Sequence, residues 1–188
     1  LVCDADEYPR HEVTLSAFEI DVTEVSQAAY AACIDGGGCT PPLENFDPLQ
    51  KGAYPVVSLT WGQASGFCAW AGKRLPTEAE WEKAARGTDG RMFPWGDEPA
   101  TCELAQTSEC EDPGGALPVG SLPLGASPYG ALDMAGNVWE WVQDYYAADA
   151  YLAHGSPDPQ GPLSGDSRVY RGGSAGNWTP LARTTNRA

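Results

Sequence analysis

The stretch Leu75-Pro76-Thr77-Glu78-Ala79-Glu80-Trp81-Glu82 is the most informative about the fold, because it contains a complete helix start. Thr77 and Glu80 have the spacing of a capping box, in which each side chain accepts a hydrogen bond from the other residue's backbone amide. Gly87 stands where the glycine that ends a helix belongs. The sequence therefore predicts an α-helix that begins after Thr77 and ends at Gly87.

The elements around this helix are predicted to be short. Residues 11–20 alternate polar and apolar side chains, which indicates a half-buried strand. Thr23 is a candidate N-cap for one further helix, and Thr60 for another that runs from Trp61 to Gly72. Other short strands are predicted at 55–59, 136–142 and 168–174.

The composition favours a loop-rich domain with an aromatic core. Glycine (22) and proline (16) are abundant, whereas seven Trp and eight Tyr argue against disorder. We expect one α+β domain over residues 1–188, with two or three helices packed on short irregular antiparallel sheets. The net charge of −15 argues against a nucleic-acid partner, because it repels phosphate. No apolar run approaches the ~18 residues of a membrane span, which argues against membrane insertion.

The cysteines point to an oxidising compartment. Two pairs each flank a short glycine-rich or polar segment and are predicted to be disulfides, namely Cys33–Cys39 and Cys102–Cys110. Metal ligation is the competing interpretation, although neither pair has CxxC spacing or a nearby histidine. Cys3 and Cys68 remain, and their pairing with each other is one of several connectivities that the sequence leaves open. Disulfides imply an extracellular, periplasmic or cell-surface location.

Several segments, taken in order, resemble the formylglycine-generating enzymes, also called sulfatase-modifying factors. These segments are 55–61, 72–82, 93–96, 128–141 and 171–174. The resemblance implies a fold related to C-type lectins, with bound calcium and little regular secondary structure. Domains of this family usually close with a further strand, and we expect that last strand to be missing from this chain.

The resemblance also bears on catalysis, because the family's enzymes oxidise a substrate cysteine with copper and dioxygen. Their two copper-binding cysteines follow the motif that here reads Arg171-Gly172-Gly173-Ser174. In this chain Asn177 and Ala182 stand at the matching positions, and no cysteine follows Cys110. Because soft copper(I) prefers thiolates, neither copper nor copper-oxidase activity is expected. The histidine-ligated iron of related sulfoxide synthases is not expected either, since the chain has two histidines.

Calcium is the cofactor that the resemblance implies instead. Its expected ligands are side chains and backbone carbonyls of one turn: Asp133, Gly136, Asn137, Val138 and Glu140. The alternative is that Asn137 and Glu140 only hold this turn by hydrogen bonds to backbone amides. A second, weaker calcium site is expected at Gln106, Thr107 and Asp112. There the alternative is a solvated acidic loop that the Cys102–Cys110 disulfide pins.

The remaining candidate is a ligand-facing loop made of Asn177, Trp178 and Arg183, where the family's enzymes place their catalytic surface. Most other tryptophans are expected in the core, namely Trp61, Trp70, Trp81, Trp95 and Trp139. Together these features predict a non-catalytic, calcium-stabilised binding or structural module, within a larger chain or assembly, that presents loops to a protein, peptide or glycan. The alternative is an enzyme of the same family with altered chemistry or an active site that a partner chain completes.

Overall fold

A computed structural model describes residues 4–110, 115–152 and 157–188 of the chain. Long loops and short 3-10 turns connect its regular elements. The helices are α1 (Gln27–Asp35), α2 (Trp61–Trp70) and α3 (Glu78–Arg86), and the strands of one antiparallel sheet are β1 (Glu140–Tyr145) and β2 (Arg168–Arg171). This architecture confirms the predicted α+β class, in which little of the chain is regular.

Helix α3 begins and ends where the sequence predicts. The Glu80 backbone amide donates to the Thr77 hydroxyl over 3.2 Å, and the Thr77 amide donates to the Glu80 carboxylate over 2.8 Å. At the other end Gly87 adopts a φ of 73°, which few residues besides glycine accept readily. The helix packs on both strands to form the main core, which consists of Trp81, Ala84, Ala85, Ala131, Met134, Val142 and Val169.

Helices α1 and α2 form a second, smaller cluster around Tyr30, Cys33 and Phe67. Thr60 caps α2 as predicted, and its hydroxyl accepts a hydrogen bond from Gln63. Helix α1 begins later than predicted, because the Ser26 hydroxyl accepts from the Ala29 amide while Thr23 donates to a neighbouring carbonyl.

Two of the predicted strands, 11–20 and 55–59, do not form a ladder of strand hydrogen bonds. Residues 11–20 instead lie along the surface, with Phe18 and Ile20 against the main core. Residues 55–59 contribute a single bridge, between Pro55 and Ser26. Strand β1 starts at Glu140 rather than earlier, because the preceding residues form a turn.

Both predicted disulfides, Cys33–Cys39 and Cys102–Cys110, are confirmed. In the part of the chain that the structure describes, Cys68 is a free cysteine, and its pairing with Cys3 stays a prediction. Cys3 itself lies outside the described residues. None of the helices in the described ranges has the length and apolar character needed to cross a membrane.

The tryptophans divide between core and surface. Trp81 is fully buried, and Trp61, Trp95 and Trp139 are half-buried. The prediction that Trp70 lies in the core is wrong, because 45% of its surface is exposed. Its indole lies against the glycine-rich loop of the first disulfide, so closely that a Cβ on Gly38 would be 2.2 Å from Trp70 Cδ1.

Candidate functional site

The predicted calcium-binding segment is a tight turn that leads into β1. Asp133, Gly136 and Asn137 adopt φ values of 60°, 80° and 57°, so the chain reverses direction over a few residues. Gly136 is required there, because a Cβ would lie 2.2 Å from the carbonyl oxygen of Gln106. The turn brings Asp133 and Glu140 to the same place.

A third carboxylate, that of Glu24, completes this group from the segment before α1. It lies close enough to Asp133 to be repelled by it, and Asn137 Nδ2 donates to its Oε1 over 2.8 Å. Glu140 Oε2 accepts from the Trp81 indole over 2.8 Å, and Asp133 Oδ2 accepts from the Gly120 amide over 2.6 Å. Glu24 Oε2 is buried and has no hydrogen-bond partner among the described residues.

The proximity of these carboxylates has a strong electrostatic effect. Burial, followed by repulsion from Glu140 and Asp133, raises the pKa of Glu24 to about 10. Burial also raises the pKa of Glu140 to about 7, against a hydrogen bond from Trp81 that lowers it. Carboxylates that are buried close together repel one another unless a proton or a cation lies between them.

The donor set suits a hard cation such as calcium, which takes six to eight oxygen ligands. The available side-chain oxygens are those of Glu24, Asp133 and Glu140, and Glu24 Oε2 has no hydrogen-bond partner among the described residues. The backbone carbonyls of Gly136 and Val138 lie in the same turn. Within the described ranges no three His, Cys, Asp or Glu side chains already form a metal-binding cluster. The carboxylates would therefore have to draw together around an ion.

The side chain of Asn137 makes hydrogen bonds within the protein. Its Oδ1 accepts from the Leu117 amide over 2.7 Å, and its Nδ2 faces Glu24. The bond to the Leu117 amide is of the kind that the alternative expects for Asn137, whereas Glu140 bonds to an indole and not to a backbone amide. Sequence reasoning missed Glu24, because no local spacing connects it with Asp133 or Glu140.

The second predicted site lies only partly within the described residues. The Gln106 carbonyl accepts from the Asn137 amide over 2.9 Å, and the Thr107 carbonyl accepts from the Cys110 amide over 3.1 Å. Both residues are buried. Asp112 lies outside the described residues.

The predicted ligand-facing loop splits into an exposed and a buried part. Trp178 is 61% exposed, and Asn177 is half-buried with its Oδ1 accepting from Ser174 Oγ over 2.6 Å. Arg183 corrects the prediction, because it is buried and forms an ion pair with Glu7 of the N-terminal segment. It therefore does not face a ligand.

The structure offers no thiolate pair for copper in the described ranges. Asn177 presents an amide, and Ala182 presents a methyl group that is 1% exposed. Cys68 lies in α2, where burial, and then the charge of Asp21, raises the pKa of its thiol. These residues do not fit a copper(I) site, so no oxidation step is derived from them.

A buried ionic network joins Arg171 and Arg187 to glutamates of α3. Arg171 donates to Glu78 over 3.1 Å and to Glu82 over 2.8 Å, and Arg187 donates to Glu78 through two nitrogens. Arg171 therefore pairs with two carboxylates of α3. The network links the end of the chain to the main helix.

The irregular α+β fold combines the turn from Asp133 to Glu140 with the Arg171-Gly172-Gly173-Ser174 loop. Residues 2–188 match the family described as sulfatase-modifying factor enzyme 1-like domain. The chain belongs to this family.

Individual relatives differ in what surrounds the shared domain. The formylglycine-generating enzyme of Streptomyces coelicolor is 34% identical over 223 residues, which cover 89% of this chain and 70% of that protein. The serine/threonine-protein kinase pkn1 of Chlamydia caviae is 36% identical over 189 residues, which cover 89% of this chain but 29% of that protein. The solved structure of PvdO from Pseudomonas aeruginosa has a TM-score of 0.78 at 27% identity, covering 98% of this chain and 79% of PvdO.

Proposed function

We propose that this chain is a non-catalytic binding or structural module that calcium stabilises. The observation that carries the proposal is the loop after Arg171-Gly172-Gly173-Ser174. Where the resemblance places two copper-binding cysteines, the loop has the hydrogen-bonded amide of Asn177 and the buried methyl group of Ala182. Neither group is a useful ligand for a soft monovalent ion.

Calcium would be held by the carboxylates of Glu24, Asp133 and Glu140 and by the carbonyls of Gly136 and Val138. The ion would supply positive charge that offsets their mutual repulsion. Glu24 lies just before α1, whereas Asp133 and Glu140 lead into β1. Bound calcium would therefore fasten the cluster of α1 and α2 to the main core.

The location and the partner form the second part of the proposal. Two disulfides favour an oxidising compartment, which means an extracellular, periplasmic or cell-surface location. The partner would be a protein, a peptide or a glycan that contacts the loops around 98–128, 143–167 and 175–183. Fold alone does not select among these partners, because function in a shared fold depends on the residues of its loops.

The alternative function is an enzyme of the same family with altered chemistry or with an active site that a partner chain completes. It is favoured by the 34% identity to a formylglycine-generating enzyme over 89% of this chain.

A peptide assay distinguishes the two functions. A peptide with a sulfatase-type cysteine motif is incubated with the protein, copper and oxygen, and mass spectrometry follows the change of cysteine to aldehyde. The formylglycine-generating enzyme of S. coelicolor serves as the positive control. We expect no conversion above a blank that contains only the metal. Conversion above that blank would reject the non-catalytic proposal in favour of the alternative.

A further inference from the structure

We infer that Trp178 and Glu109 form a binding site for a lysine or arginine side chain of a basic partner peptide. The inference rests on the proposed function as a binding module, and it names the chemistry of the partner.

The first observation is that Trp178 is exposed without an internal reason. Its exposed fraction of 61% exceeds that of Trp70, whose indole the first disulfide loop partly covers. Tyr129 is similarly exposed, but its ring contacts the Lys83 ammonium. Among the described residues, the Trp178 ring takes part in no such ring or cation contact. An exposed indole face of this kind is available to a partner.

The second observation is that hydrogen bonds hold the backbone of the loop at Trp178 and on both sides of it. The Leu181 amide donates to the Trp178 carbonyl over 3.1 Å, and the Ser108 amide donates to the Asn177 carbonyl over 2.9 Å. Thr179 donates to Glu109 from its hydroxyl over 2.7 Å and from its amide over 3.4 Å. These bonds join the loop to the Cys102–Cys110 segment, so the partner would meet a preorganised surface.

The third observation is the negative charge of Glu109, which is bonded to the residue that follows Trp178 in the sequence. Glu109 is exposed and bonded to the residue next to Trp178, and the described residues include no lysine or arginine in an ion pair with it. An aromatic face with a carboxylate next to it attracts a cation through both the ring quadrupole and the opposite charge. The net charge of −15 favours a basic partner and disfavours an anionic one.

The test measures binding of a dye-labelled glycine–lysine–arginine repeat peptide by fluorescence anisotropy in the calcium-containing full chain. A peptide with glutamate in place of every basic residue serves as the comparison. Trp178→Ala leaves the net charge unchanged, and its matched control is Tyr129→Ala, which removes another exposed aromatic ring. Glu109→Gln has Glu44→Gln as its control, because Glu44 is also exposed and lies between α1 and α2.

We expect the basic peptide to bind and Trp178→Ala to weaken binding about fivefold, as expected for loss of a cation–π contact. Glu109→Gln should weaken it as well, whereas both control variants should stay within about twofold of the native protein. Equal binding by Trp178→Ala and Tyr129→Ala, absence of binding, or tighter binding of the acidic peptide would each overturn the inference. Thermal melting with calcium verifies that each variant is folded. If the peptide does not bind as expected but the calcium response is unchanged, the peptide site is rejected while the proposed calcium-stabilised module is not.

Discussion

Arg171→Met should unfold the domain at a markedly lower urea concentration than the native protein requires. The Arg171 side chain is fully buried, and it donates to Glu78, Glu82 and the backbone carbonyls of Thr184 and Thr185. Removing one partner of a buried ionic network costs about 3–5 kcal/mol, because the remaining charges and carbonyls lose their partners without returning to water. For a domain of this size, that corresponds to a fall in Tm of about 6–20 °C.

Arg74→Met is the matched control. Arg74 also pairs with a glutamate of α3, over 2.6 Å to Glu80, but its side chain is 58% exposed. Exposed pairs contribute about 0–1 kcal/mol, so this variant should change the free energy of unfolding little. Both variants are measured by urea denaturation with tryptophan fluorescence at fixed calcium. Equal, small losses for the two variants would refute the reasoning that burial makes the Arg171 network indispensable.

Three further predictions concern other parts of the fold. Burial raises the pKa of Asp144 to about 6, so the folded state holds this proton more tightly than the unfolded state. The associated stability, up to about 3 kcal/mol, is fully present below about pH 3.8 and is lost as pH rises through 6, and Asp144→Asn should remove that slope in urea titrations at saturating calcium. Gly136→Ala should destabilise the domain by more than about 2 kcal/mol, because its Cβ would meet Gln106, whereas Gly37→Ala, also at positive φ but in open space, should cost about 1 kcal/mol. Peptide mapping without reductant should recover both disulfides, and free thiols at those four cysteines would contradict the structure.

The sequence predicts those elements that depend on neighbouring residues. The N-cap of α2, the capping box that starts α3, the glycine that ends α3, and both disulfides involve partners close in the chain, so their spacing alone is informative. The start of α1 was mispredicted because Thr23 and Ser26 are both suitable caps. The bridge between Ser26 and Pro55 favours the second of them, and a pattern within one helix does not contain that contact.

The candidate site was predicted only in part, because its parts come from distant segments. The turn from Asp133 to Glu140 is local and matches the family, but Glu24 reaches it from the other half of the chain. The burial of Arg183 was not predicted for a similar reason. Its partner, Glu7, lies near the start of the sequence and buries it, although its own loop is polar and looks exposed.

Calcium binding at Glu24 and Glu140 is the most direct test of the account. Melting curves are recorded with chelator and with calcium at about a hundred times its Kd, where one native-state ion adds about 2.7 kcal/mol and so raises Tm by about 5–11 °C. Terbium, bound in place of calcium, should luminesce on excitation of Trp81, whose indole touches Glu140. The account predicts that Glu24→Gln and Glu140→Gln each lose most of both signals, while Glu44→Gln keeps them. Identical melting curves with chelator and with calcium, or a full calcium response in Glu24→Gln, would contradict it.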